Sequence, residues 1–151
     1  HSSNTGYGLG FKKPVMTIDA TSGDRNVTLT EAQSGAIILC DAAANDINIT
    51  LPACPSDASL GIHFTIVTKT AVSASKVIRV KTNGAVGDNN DDIHLYSFQG
   101  ATSATDVDGD ELTFPNSTAA GSVVIITAIK SGANEIWLAQ AYSPQSITVA
   151  D

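Results

Sequence analysis

Residues 47–51 read Ile-Asn-Ile-Thr-Leu and are stopped by Pro52. Ile47, Ile49 and Leu51 fall on one side of an extended chain, and Asn48 and Thr50 on the other. That alternation is the signature of a strand with one buried face. Working outward, Phe64-Thr65-Ile66-Val67, Val77-Ile78-Arg79-Val80-Lys81 and Val123-Val124-Ile125-Ile126 repeat the same β-branched character, with Gly, Asn, Asp, Ser or Pro between them. No stretch has the period of a long amphipathic helix. Short strands at such spacing predict an all-β fold, an antiparallel β-sandwich or jelly-roll-like barrel.

The remaining elements are read in the same way. Val15 to Asp19, Ile37 to Asp41, Ile93 to Phe98 and Leu112 to Phe114 are expected strands, Val27 to Thr30 is extended, and a final strand is expected at Ile147 to Val149. Ile62, Phe64 and Ile66 should share one face of their strand, as should Ile78 and Val80. Thr30 to Gly35 fits one helical turn ended by glycine. Residues 123–129 are apolar on both faces, which predicts a central strand or one covered by a subunit contact. Lys130 to Asn134 turns the chain into the strand that holds Trp137. The count is about ten strands, and no internal repeat is read.

The chain has 151 residues, enough for one domain with its own core. Residues 1–13 are expected to be an N-terminal arm and residues 14–151 the single β-domain. In the arm, Tyr7, Leu9 and Phe11 alternate with Gly6, Gly8 and Gly10 and are followed by Lys12 and Lys13. Spaced apolar anchors on a flexible backbone suit a segment that orders on a partner. The chain starts at His1 with no signal-peptide pattern, which fits a processed product or a segment lacking its upstream part.

Charged residues make up 15% of the chain, well under the roughly 25% of ordinary domains, and hydroxyl and amide side chains take their place. Such a surface suits stacking against other protein copies. The net charge of −7 and the scattered Lys and Arg argue against nucleic acid or an anionic membrane as partner. No apolar run reaches the roughly 20 residues that span a bilayer. Cys40, inside the apolar run 37–40, is expected to be a buried free thiol, with a bridge to Cys54 as the alternative.

Groups that could do chemistry are few. Asp106, Asp108 and Asp110 alternate as calcium ligands do. An EF-hand loop would place glycine sixth and glutamate twelfth, whereas Gly109 is fourth and Ser117 twelfth. The expectation is therefore no metal and a hairpin turn at Asp108-Gly109. The acidic loop 88–92 is expected to be solvated. His63 and His94 lie in predicted strands with no nucleophile motif around them, so no catalytic residue and no cofactor are expected. The sequons at Asn26, Asn48 and Asn116 are ordinary in a chain this rich in Asn and Thr.

The order Thr28-Leu29-Thr30, Ser34-Gly35-Ala36-Ile37-Ile38-Leu39, Ile49-Thr50-Leu51-Pro52 and Gly61-Ile62-His63-Phe64 resembles small virion proteins of tailed bacteriophages. Gly121-Ser122-Val123 and Ser131-Gly132-Ala133-Asn134-Glu135-Ile136-Trp137 continue the likeness, which covers residues 27–141. The resemblance implies a capsid decoration (cement) protein, a homotrimer on the virion exterior bound to the major capsid protein, with no enzymatic activity. Tyr7, Leu9, Phe11, Lys12 and Lys13 lie outside the likeness and are, from their own spacing, the expected arm that binds the capsid. A head- or tail-fibre domain is the alternative that the same motifs allow, and a glycan-acting enzyme is a weaker third.

Overall fold

The computed structural model describes residues 12–53, 60–84, 92–98 and 106–150. Twelve strands form two sheets among these residues. In chain order they are β1 (Val15–Asp19), β2 (Arg25–Thr28), β3 (Ile37–Asp41), β4 (Ile47–Thr50), β5 (His63–Thr68) and β6 (Ile78–Lys81), then β7 (Ile93–Phe98), β8 (Asp106–Gly109), β9 (Glu111–Phe114), β10 (Val123–Ser131), β11 (Asn134–Tyr142) and β12 (Thr148–Ala150). The seven-stranded sheet runs β1-β3-β5-β10-β11-β7-β8 and the five-stranded sheet β12-β9-β6-β4-β2. The sandwich expected from the sequence is present, and residues 123–129 lie in its central strand, β10.

Strand direction corrects the antiparallel and jelly-roll expectation. β1, β3 and β5 are parallel, as are β2, β4 and β6, and β7 is parallel to β11. The cause is the path of the chain. From β1 to β6 each connection crosses to the opposite sheet, so successive strands within one sheet return in the same direction. The result is a short stack of coils, each contributing one strand to each sheet. Antiparallel pairs are confined to the later strands, where β7 meets β8, β9 meets β6 and β12, and β10 meets β5 and β11.

The coils also expose a repeat that strand patterning along the chain does not reveal. Register places Val15 beside Ile37 and Arg25 beside Ile47, an offset of 22 residues in both sheets. At that offset VMTIDATSGDRNVTLT (15–30) lies over IILCDAAANDINITLP (37–52). Asp19/Asp41, Ala20/Ala42, Asp24/Asp46, Asn26/Asn48, Thr28/Thr50 and Leu29/Leu51 are identical. Most of these identities have a visible structural role. Asp19 accepts the Thr21 N–H at 2.8 Å and Asp41 the Ala43 N–H at 3.4 Å, fixing the first corner of each coil. Asp24 Oδ1 accepts the N–H of Asp46, and Asp46 Oδ1 that of Val77, both at 3.0 Å, tying each second corner to the coil above. Asn48 donates to Asn26 Oδ1 at 3.0 Å. Ala20, Ala42, Leu29 and Leu51 are buried where the chain turns between sheets.

Between the sheets, Ile38, Phe64, Ile66, Ile126 and Trp137 meet Ile47, Ile49, Ile78, Val80, Leu112 and Phe114, all fully buried. The Phe64 and Trp137 rings lie 6.4 Å apart and tilted by 34°, within the range of favourable aromatic pairs. The expected helical turn is a 3-10 turn at Glu31–Gln33, where Gln33 Oε1 accepts the Thr30 N–H at 2.8 Å. Gly35 follows at φ +86, a backbone conformation that favours glycine.

The expected Asp108-Gly109 hairpin turn is not one. β8 belongs to the large sheet and β9 to the small one, so the chain crosses between sheets at Asp110. Gly109 is required for another reason. A Cβ there would stand 2.7 Å from the Ala150 carbonyl carbon, where β12 crosses the end of β8. That close approach shuts the sandwich on this side.

Candidate interaction surfaces

Cys40 is a free thiol and fully buried, as expected; burial pushes its pKa up to about 12. Cys54 lies outside the described residues, so the alternative of a bridge falls there with it. Tyr7, Leu9 and Phe11 also lie outside them, whereas Lys12 and Lys13 are exposed and lead into β1.

The residues with chemical potential are not brought together. The Asp106 side chain lies outside the described set. Asp108 is exposed on β8. Asp110 is buried, and the Thr82 hydroxyl reaches its carboxylate at 3.4 Å. His63 Nδ1 is 2.9 Å from the Gly61 carbonyl oxygen. His94 stands in the same cross-strand row as His63 but with Thr127 and Leu138 between them, which puts the two rings about 14 Å apart at ordinary strand spacing. Among the described residues no group of three or more His, Cys, Asp or Glu converges as metal ligands would. Of the acidic loop 88–92 only Asp92 is described, and it is buried rather than solvated.

The two outer faces of the sandwich differ sharply. On the small sheet the outward residues are Asn26, Asn48, Arg79, Thr113 and Thr148 in one row and Thr28, Thr50, Lys81 and Glu111 in the next. Arg79 lies 3.7 Å from Asp46 and 3.3 Å from Glu111, and Lys81 is 3.0 Å from Glu111. These half-exposed pairs make a polar, well-hydrated face and add little stability.

On the large sheet one outward row is Val15, Ile37, Thr65, Ile125, Gln140 and Tyr96. The next is Thr17, Leu39, Val67, Val123 and Tyr142. Neither row carries a charged side chain on β1, β3, β5, β10, β11 or β7, in a chain of net charge −7. The chain's two exposed large hydrophobics among the described residues, Val15 (60%) and Tyr142 (46%), both belong to this face. Charges sit at its rim, where Lys69 is 3.7 Å from Asp41. Six strands about 4.8 Å apart and two rows about 7 Å apart outline roughly 400 Å², a size at which apolar patches on one chain tend to mark contact sites. The alternation in β3, β5 and β10 was legible in the sequence. That three strands so distant in sequence combine into one apolar plane was not.

A third surface is the end of the coil stack. β1 and β2 are each an edge strand of their sheet, and among the described residues both edges are unpaired at the same end. The inward residues there, Met16 and Val27, are only partly buried, whereas their equivalents in the next coil, Ile38 and Ile49, are fully buried.

No protein-family model matches this sequence, and no curated protein is similar to it.

Proposed function

We propose that this chain is a non-enzymatic virion structural protein of the capsid-decoration type, acting as a homotrimer on the outside of a phage capsid. The observation that carries the reading is the uncharged, largely apolar patch that two outward rows make across six strands of the seven-stranded sheet, set back to back with a polar face. A two-sided slab of this kind has one surface suited to burial against its own copies and one suited to water. Burying even half of roughly 400 Å² at about 25 cal/mol per Å² gives about 5 kcal/mol of gross driving force per protomer, before the entropic cost of association. A charge-free face also lets copies of an acidic protein meet without like-charge repulsion.

In this reading trimers bridge neighbouring capsomers and add buried area that resists internal pressure from packaged DNA. The arm, through Tyr7, Leu9, Phe11, Lys12 and Lys13, engages the major capsid protein. Its exposed lysines contribute little as isolated ion pairs, so the apolar anchors carry the attachment. The β1–β6 coil stack, open at its first coil, favours the second reading, a fibre domain.

The test is binding to undecorated capsids. The full chain should occupy them at saturation in multiples of three, and a version lacking residues 1–13 should bind at least tenfold more weakly while keeping its β-domain. Binding that does not depend on the arm would move attachment to the loops. Binding to host cells in place of capsids would select the fibre reading.

A further inference from the structure

We propose that the open end of the coil stack is a self-pairing surface, on which a second copy of this chain sets its own β1 and β2 antiparallel about a twofold axis. That the second copy belongs to a neighbouring trimer rests on the decoration reading; the edge pairing itself does not.

The backbone supplies the first argument. Pro14 O accepts the Ile37 N–H and the Ala20 N–H reaches Asp41 O, so the even-numbered residues of β1 bond to β3. Val15 and Thr17 therefore turn their N–H and C=O groups to the open edge; Asp19 turns the same way, but its C=O accepts the Arg25 Nε–H at 2.7 Å. In β2 the N–H groups of Arg25 and Leu29 bond to Asp46 O and Thr50 O, so Asp24, Asn26 and Thr28 face outward. Two edges that are unpaired among the described residues, one in each sheet at the same end, match a partner that also presents two strands. The other edge strands of the two sheets are β8 and β12. There β12 crosses the end of β8, with a Cβ at Gly109 standing 2.7 Å from the Ala150 carbonyl carbon, so that side does not present two separate edges as β1 and β2 do, and pairing of like with like is the better match.

The side chains supply the second. Met16 and Val27 extend the core to this end without full cover. Repeat stacks need such an end capped, and a second copy continues both sheets past it. Centred on Thr17 and Asn26, the pairing sets Thr17 against Thr17 and Asn26 against Asn26. The Asn26 oxygen accepts from Asn48 with one lone pair, which leaves its second lone pair and its amide N–H₂ to pair with the same groups of the partner copy. Charge is complementary across the same contact. Pairing past Thr17 brings exposed Lys12 and Lys13 of one copy beside the turn of the other that carries Asp19 and Asp24. β1 has five residues and β2 four, so the contact is short and reversible rather than the start of a fibre. In a shell of trimers at threefold positions, neighbouring trimers are related by twofold axes, so this contact would join them into a net.

Sedimentation velocity of the full chain between about 1 and 500 µM is the test. The expected result is a concentration-dependent doubling of mass. Asn26→Lys sets like charges across the axis and should weaken it at least tenfold, as should Asn26→Asp, while an equimolar mixture of the two should recover it. Thr17→Pro removes the edge donor and should act as Asn26→Lys does; if it does not fold, the Asn26 pair still decides. Doubling that survives Asn26→Lys, or no doubling at 500 µM, overturns the proposal. A trimer that never doubles overturns the edge pairing and leaves the decoration reading standing. Doubling directly from a 15.5 kDa species, lost in Asn26→Lys, upholds the pairing and removes the trimer.

Discussion

Two buried residues set the behaviour of the core. Trp137 is fully buried, and its indole N–H has no partner among the described residues. Its ring fills the space beside Phe64, while its donor is left unsatisfied at a cost of roughly 1–3 kcal/mol. Trp137→Phe keeps most of the volume and removes that donor, so it should cost under about 1.5 kcal/mol, whereas Trp137→Ala should cost about 3–5 kcal/mol. Urea unfolding of the two variants checks the contrast, and equal losses would contradict it. Cys40 makes a pH prediction. Its thiol stays protonated in the folded chain up to about 12 but ionises near the ordinary 9.0 once unfolded. The unfolded state then binds fewer protons, so this group's stabilisation is complete below pH 9 and is lost as pH rises toward 12. In a Cys54→Ser background the thiol should resist modification at pH 8 except through global opening, and the difference in stability between wild type and Cys40→Ala should shrink between pH 9 and 12. Rapid labelling of native protein would contradict the burial.

The coils are held by a ladder of carboxylates and amides as well as by the apolar core. Asp46 accepts the Val77 N–H and stands 3.7 Å from Arg79, and it is half-buried. Asp24 has the same role in the coil below but is exposed at the open end. The same deletion should therefore differ in cost: Asp46→Ala about 1–3 kcal/mol, Asp24→Ala under about 1 kcal/mol, because water replaces the lost partner only at the exposed site. Thermal or urea unfolding of both variants reads this, and a larger loss at Asp24 would count against the ladder's order. Asp19 is held below the ordinary carboxylate range by its hydrogen bonds to Thr21, side chain first and backbone second. Its contribution is accordingly present above pH 3.8 and lost as pH falls through the lower folded value. Strand-level alternation was readable because burial imposes a period of two residues on any strand with one wet face. The 22-residue repeat escaped because its constant positions are mostly small or polar corner residues, while the apolar strand positions vary freely between Val, Ile, Leu, Met and Cys.

For the whole molecule, the large-sheet face is where association should be won or lost. Ile125 sits near its centre on β10, half-buried in the single chain. Ile125→Lys should leave the fold intact, since the side chain points out of the core, and should shift light-scattering mass from three times 15.5 kDa toward 15.5 kDa. An unchanged trimer would place the threefold contact elsewhere. The amino-acid sequence by itself determined the class of this protein. Alternating Ile47, Ile49 and Leu51, the turn residues between short β-branched runs and the low charge require an all-β chain with a buried inner face, and local sterics and apolar burial act within a few residues. It also set Cys40 inside, because residues 37–40 are too apolar to remain wet. Only the tertiary structure decided that the turns at 20–24 and 42–46 cross between sheets instead of reversing within one, which makes half of the pairings parallel. It alone brought Val15, Ile37, Ile125 and Tyr96 into one row without a charge from β1 to β7, and set the edges of β1 and β2 at one end. Strand order and direction are fixed by pairings that reach far along the chain, as from His63 to Thr127, and no local pattern records which distant strand a given strand will meet.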